Sequence, residues 1–327
     1  MSFLLENDLS RKKTLPIGGK SVKLPIYFPS ISTVKTGKTT PIAYFRVLQA
    51  LFPNFLVSAY DIYNSKDKDA FIKELKLNKE QNKAIIILDS GNYERFWLKD
   101  ARWNQRKFNS IIKQNICDLA FCYDKLNPTI IQNDIAWLKK SITASQTLTS
   151  SSSIVPIVHS KKHDSFPDII LELHKQLNFA IIAVPERELG DGIIQRTETI
   201  TKLRKALNKL DTYIYIHVLG TGNPRTLLLF SLAGADTFDG LEWCQTVVDS
   251  KTALLYHFQQ RELIIDDCLF CHDSEFDYNL KTFAHNLNFY NTWMKKIQDA
   301  IESNKETELL QEYFDSNFVS QLKNIWS

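Results

Sequence analysis

The sequence predicts a closed (β/α)8 barrel of the α/β class, a TIM barrel, with a helical appendage at its C-terminal end. Three observations lead there. Eight short apolar runs recur between Lys23 and Asp239. Most are separated by segments of helical periodicity, which predicts parallel strands with helices outside. Nearly every run ends in a polar or small residue: Asp61, Asp89, Asp124, His159, Glu186, Gly220 and Asp239. In a barrel those ends converge on one mouth, where barrel chemistry is done. An open doubly wound sheet is the alternative, and the polar strand ends argue against it.

The first run, Lys23-Leu-Pro-Ile-Tyr-Phe-Pro29-Ser, keeps its prolines near its ends, where ladder donors can be spared. Helical periodicity follows over 41–52, and then Phe55 to Asp61 forms the second run. Ala84-Ile-Ile-Ile-Leu-Asp89 is continuously apolar, as suits a strand buried on both faces. Asp118 to Asp124 is the fourth run. Ile154 to Ser160 is the fifth, after a serine patch at 150–153 that reads as a loop. Phe179 to Pro185, Tyr213 to Gly220 and Ala235 to Asp239 complete the set. Helices are expected over 130–140, 166–177 and 197–210. Another is expected over 225–233, with Asn223 as its cap, Pro224 in its first turn and Gly234 as its stop. Beyond the barrel (1–245), the appendage (246–327) is expected to hold one helix over 246–260. A long amphipathic helix over 280–303 and a last one over 306–326 follow.

A chain of 327 residues fits one barrel of roughly 250 residues plus additions. The net charge of +3 is too small to argue for a polyanionic partner, so local clusters would have to do so. Arg102, Arg106 and Lys107 interleave with Phe96, Trp97 and Trp103, and Lys161-Lys162-His163 follows the fifth strand. Such mixtures suit a polynucleotide track, though a solvated surface is an equal reading. Five cysteines is an odd number, and Cys268 and Cys271 form a close pair, which points to a reducing compartment and a metal site. The opening residues do not read as a signal peptide, and no apolar run approaches the roughly 20 residues of a membrane span. A cytoplasmic protein without membrane attachment is expected.

Two carboxylates at one mouth, Asp239 and Asp89, can divide the labour of retaining glycosyl transfer. One attacks the anomeric carbon while the other moves protons on the leaving group. Taken singly, each reads more simply as a turn or helix-cap aspartate. Their surroundings change that balance. The chain carries, in order, the Leu24 to Lys35 stretch, Asp89-Ser-Gly-Asn-Tyr-Glu94, Val218-Leu-Gly-Thr-Gly-Asn-Pro224, Gly234-Ala-Asp-Thr-Phe-Asp239 and His285-Asn-Leu-Asn-Phe-Tyr290. Together they resemble, in order, the motifs of the tRNA-guanine transglycosylase superfamily, over residues from about 24 to 303.

The resemblance implies Asp239 as nucleophile and Asp89 as general acid/base. It implies Asp124 as the group that binds the edge of the base. Ser90, Gly91 and Tyr93 would line the pocket, with Leu219 and Gly220 as its wall. His159 stands where the tRNA enzymes have glutamine, and Glu186 and Arg187 replace a glycine-rich turn. Gly240-Leu-Glu-Trp-Cys-Gln245 replaces a stretch that grips the anticodon loop. These departures resemble the DNA-guanine transglycosylase branch. That branch implies exchange of guanine in DNA for a 7-deazaguanine base of the preQ0 (cyano) kind, with an ATP-hydrolysing partner protein. A tRNA enzyme and a non-catalytic transglycosylase-like subunit are the alternatives, and a homodimer stays open. Cys268, Cys271 and His285 have zinc-ligand chemistry. The family's first cysteine position is Asp266, a carboxylate able to complete a structural zinc site, with His272 or a water as the other candidates for the fourth ligand.

Overall fold

A computed structural model describes residues 11–34, 39–81, 84–125, 131–264 and 268–326, with only the backbone at 131–133. Its centre is an eight-stranded parallel sheet curled into a nearly closed barrel. The strands are β1 (Ile26–Ile31), β2 (Phe55–Ser58), β3 (Ile86–Asp89), β4 (Leu119–Phe121), β5 (Ser153–Val155), β6 (Ile181–Pro185), β7 (Tyr215–Leu219) and β8 (Thr237–Gly240). Their order is β5-β4-β3-β2-β1-β8-β7-β6. The seam between β5 and β6 is bridged at Ile157 and Ala183. There the Ala183 N–H donates to Pro156 O at 2.9 Å, and the Val158 N–H donates to Ala183 O at 2.9 Å. The apolar runs form strands because each is covered on both faces. Phe28, Val57, Leu88, Ala120, Val184, Val218 and Phe238 are all fully buried.

Register fixes the mouth. Ser58 pairs with Asp89, and Asp239 pairs with Phe28 one step below the Gly240–Pro29 pair. The helix after β7 starts and stops as its residues predict. Asn223 caps it by accepting from the Arg225 and Thr226 N–H groups, Pro224 begins it, and Gly234 ends it at φ 108°. Three residues before Asp239, Asp236 sits at the closed end of the barrel. It is fully buried and accepts from Arg204 Nη2 at 2.6 Å, Tyr213 Oη at 2.7 Å and the Ile216 N–H at 2.8 Å. One strand therefore carries a structural aspartate at one end and a mouth aspartate at the other. The bottom is lidded by a hairpin, Thr14–Ile17 with Lys20–Lys23, which the polar start of the chain did not suggest. Gly18 and Gly19 turn it at positive φ, and Lys20 reaches Asp118 at 3.1 Å.

The appendage differs from expectation in two places. Residues 246–260 do not form one helix. Thr246–Asp249 and Leu254–His257 pair as an antiparallel hairpin, followed by a 3-10 segment, Phe258–Leu263. The β-branched Thr246-Val-Val run favours extension. Asp249 then accepts from the Lys251 N–H and Thr252 Oγ1, and Ala253 takes φ 56°, which closes a turn. The last segment is two helices, Glu306–Tyr313 and Ser316–Trp326, parted at Phe314, whose backbone is extended. The long helix runs Tyr278–Glu302 and packs on the barrel through Leu287, Tyr290, Trp293 and Ile297. None of the described helices is long and apolar enough to cross a membrane.

Candidate active site

A cavity of about 330 Å³ opens at the C-terminal ends of the strands. It is lined by Asp89, Ser90, Tyr93, Asp124, His159, Glu186, Arg187, Leu219, Gly220 and Asp239, along with residues the sequence reading did not select. A volume of this size suits a small organic ligand.

Asp239 ends β8 and is almost fully buried. Three donors converge on it. Ser30 Oγ donates to Oδ2 at 2.8 Å, while His217 Nε2 and the Gly220 N–H each reach Oδ1 at 3.1 Å. His217 is in turn held through Nδ1 by Thr237 Oγ1 at 2.8 Å. The carboxylate is thus oriented from β1, β7 and the loop after β7.

Asp89 ends β3 in a different setting. Burial raises its carboxyl well above the usual carboxylate range, and the neighbouring charges of Glu94, Asp124 and Asp239 push the same way. The opposing hydrogen bond, from the Gly91 N–H to Oδ2 at 2.8 Å, does not reverse this. Asp89 is therefore biased toward its protonated form. Gly91 itself does not line the cavity. It caps the Asn92–Trp97 helix at φ 80°, and a Cβ there would collide with Tyr60. Its role in this structure is to turn the chain under Asp89.

Asp124 is fully engaged. Oδ1 accepts from Ser90 Oγ at 3.0 Å and Asn92 Nδ2 at 2.6 Å, and Oδ2 meets His159 Nε2 at 2.8 Å. His159 Nδ1 meets Glu188 Oε1 at 2.8 Å, and Glu188 Oε2 accepts from the Ser160 N–H at 2.9 Å. Burial alone would lower the pKa of the imidazole, but the hydrogen bonds and charges of Asp124 and Glu188 outweigh it and raise it to about 9. At neutral pH it is an imidazolium with both N–H groups committed to carboxylates. Burial would likewise raise Asp124, yet His159 and Asn92 hold its carboxyl below the usual range. So His159 lines the cavity but offers it no spare ring nitrogen. It orients Asp124 and balances its charge.

Four further residues complete the site. Glu188 closes the carboxylate–imidazolium–carboxylate set. Glu94 is buried, accepts from Ser32 Oγ at 2.6 Å, and is pushed up to about 7 by burial and by Asp61. Asp61, ending the second apolar run, lies in the helix after β2, accepts from the Thr33 N–H at 2.8 Å, and is raised by burial to about 6. Glu242 lines the cavity three residues past Asp239. Burial, with Glu186 and Asp239 nearby, raises it to about 7. Its Oε2 lies against Gly222 and Gly240, where a Cβ at either position would collide with it, and no hydrogen bond of good geometry reaches that oxygen. Glu188 and Glu94 left a signal in the sequence, as acidic residues a few positions past a strand end. Glu242 left less, because its glycine socket comes from the end of β8 and the loop after β7.

Of the wall residues, Glu186 is paired with Arg196 Nη1 at 2.7 Å, while Arg187 is exposed at the rim. The aromatic track divides. Trp103 is buried and donates through Nε1 to Ser90 O at 3.0 Å, so it supports the site from beneath. Tyr93, Phe96 and Trp97 are exposed.

In the appendage, Cys268, Cys271 and His285 bring ligand atoms within 4.8 Å of one another, a cluster able to hold a metal ion. His285 Nδ1 lies 3.4 Å from each sulfur, and its Nε2 is 2.8 Å from Val248 O. A carbonyl can only accept, so Nε2 carries the proton and the Nδ1 lone pair faces the thiols, as a metal-binding histidine requires. Asp266 lies outside the described residues. No model of a known protein family matches the chain, and no curated protein shows significant similarity to it.

Proposed function

We propose that the chain is a base-exchange glycosyltransferase that replaces guanine in a nucleic acid, DNA by preference, with a 7-deazaguanine base. One observation carries the reading: two carboxyls share one cavity in different settings. Asp239 is oriented by three hydrogen-bond donors, while Asp89 stands among other acids and its pKa is raised, which favours its protonated form. That is the division of labour retaining glycosyl transfer needs.

The target nucleotide leaves its stack, at a cost of a few kcal/mol, and its base enters the cavity. Asp124, fixed by Ser90, Asn92 and His159, presents an oriented carboxylate to base N–H donors. An Asp239 oxygen attacks C1′ as the C1′–N9 bond breaks, and the Asp89 proton passes to the departing guanine. The incoming base gives its N9 proton back to Asp89, and its N9 displaces Asp239. One glycosidic bond replaces another, so the step needs no ATP. DNA is preferred over tRNA on the residues at 159, 186–187 and 240–245.

Zinc is the metal proposed for Cys268, Cys271 and His285, where two thiolates and an imidazole match its chemistry. Its contribution would be a cross-link that fixes the loop before the long helix.

The test is a labelled guanine or 7-deazaguanine incubated with protein and either DNA or tRNA. An adduct that survives denaturation should form and map to Asp239. Asp239→Asn should abolish it and slow exchange on the order of 10³-fold or more. Label in tRNA alone would overturn the choice of DNA, and an adduct persisting in Asp239→Asn would overturn the mechanism.

A further inference from the structure

The lip of the cavity carries a cluster of exposed rings that the chemistry above does not use. Tyr93, Phe96 and Trp97 lie on the short helix that follows Asp89, and they are 36%, 55% and 44% exposed. Tyr93 and Phe96 also line the cavity. The rings meet edge to face, Tyr93 with Trp97 at 6.3 Å and Phe96 with Trp97 at 5.4 Å, so they form one continuous surface. Most large aromatic side chains of this chain are buried, so three exposed together at a cavity mouth call for a ligand.

Two features identify the ligand class. The patch is built from rings, which offer flat faces rather than the interlocking shape of an aliphatic docking surface. It is also flanked by cations, Lys99 on the loop after the helix and Arg187 on the cavity rim, both exposed, while Arg102 nearby is paired with Asp100 at 3.1 Å. The cavity interior, by contrast, is acidic. Flat rings beside positive charge match a strand that presents unstacked bases and a phosphate backbone.

We propose that Tyr93, Phe96 and Trp97 form a stacking platform for unpaired nucleotides of a polynucleotide, those flanking the nucleotide whose base enters the cavity. The proposal rests on the reading that the base arrives attached to a strand. It adds a physical means of holding that strand open: neighbours that lose their stacking on the extruded base regain it on protein rings. Single strands or locally melted duplex are then the preferred substrates.

The probe is a twelve-residue single-stranded oligonucleotide, in DNA and RNA forms, with 2-aminopurine beside a central guanine. Binding should change the 2-aminopurine emission. Phe96→Ala and Trp97→Ala should each weaken affinity about tenfold, the loss of one stacked base, and Phe96→Tyr and Trp97→Phe should restore most of it. An intact duplex of the same sequence should bind more weakly. Unchanged affinity and emission in both alanine variants would overturn the platform. So would a wild-type protein that binds no oligonucleotide but self-associates through these rings, dissociating in the Phe96→Ala/Trp97→Ala double variant. Binding is measured in Asp239→Asn as well. Absence of base exchange then counts against the reaction alone, and ring-independent binding counts against the platform alone.

Discussion

His159 shows how one side chain can be at a site without touching what the site binds. Both its nitrogens are spent on carboxylates, and its charge depends on having two of them. The folded imidazole has a raised pKa, so its bonds are complete below the ordinary value of about 6.5. They are lost as pH rises through about 9. Glu188→Gln removes one of the two charges. The midpoint should then fall by about a unit or more, seen as an earlier alkaline shift of the His159 ring signals in NMR. On the proposed function, affinity for the base should fall in the same pH range, while the rate at saturation changes little. A midpoint unmoved by the substitution would mean that Glu188 does not set the charge.

At the scale of elements, the eight runs and their alternation were legible because a parallel barrel strand is covered on both faces, and that leaves an uninterrupted apolar signature. The cap at Asn223 and the stop at Gly234 were legible for a local reason, since each acts within three residues. The errors have equally local causes. Over 246–260 apolar residues at mixed spacing fit a helix as well as a hairpin, and the turn rests on the Asp249 side chain and on Ala253 at positive φ. At the mouth, strand ends named Asp89, Asp124, His159 and Asp239. Glu242 and His217 act through contacts set by other loops and strands, which no window of sequence contains. The Cys268, Cys271 and His285 cluster makes a prediction at this scale. Chelation of a bound metal should lower the thermal midpoint by about a few degrees and expose both thiols to alkylation. Added zinc should reverse both effects, as read by differential scanning fluorimetry and thiol titration. If the thiols react equally before and after chelation, the cluster holds no metal.

For the whole molecule, the mouth sets a pH slope on stability. Asp61, Glu94 and Glu242 have folded pKa values raised to about 6, 7 and 7, and Asp89 is raised as well. A raised carboxyl binds its proton more tightly folded than unfolded, so stability falls as pH climbs from the unfolded value of about 4 through the folded one. His159 contributes in the same direction up to about pH 9. The thermal midpoint should therefore be higher at pH 6 than at pH 8.5. Glu242→Gln should raise it at pH 8.5 by about 1–3 °C and flatten the slope. A midpoint that rises from pH 6 to 8.5 would contradict this account. The acids are kept at a cost in stability at neutral and alkaline pH.

Tyr27 of β1 and Tyr290 of the long helix stack at 4.5 Å. Their hydroxyls donate to Gly240 O at 2.8 Å and Gly222 O at 2.7 Å, the two glycines that seat Glu242. Asn286 adds bonds to Trp243 O and Thr246 O, both at 2.8 Å. The wall beside Asp239 is thus braced from β1 by Tyr27 and, from roughly fifty positions later in the chain, by Tyr290 and Asn286. During synthesis the eighth strand leaves the ribosome well before that brace exists. A nascent barrel would have both aspartates and no finished pocket, so competence to bind should arrive abruptly, as a late event of translation, once the helix through Trp293 has docked.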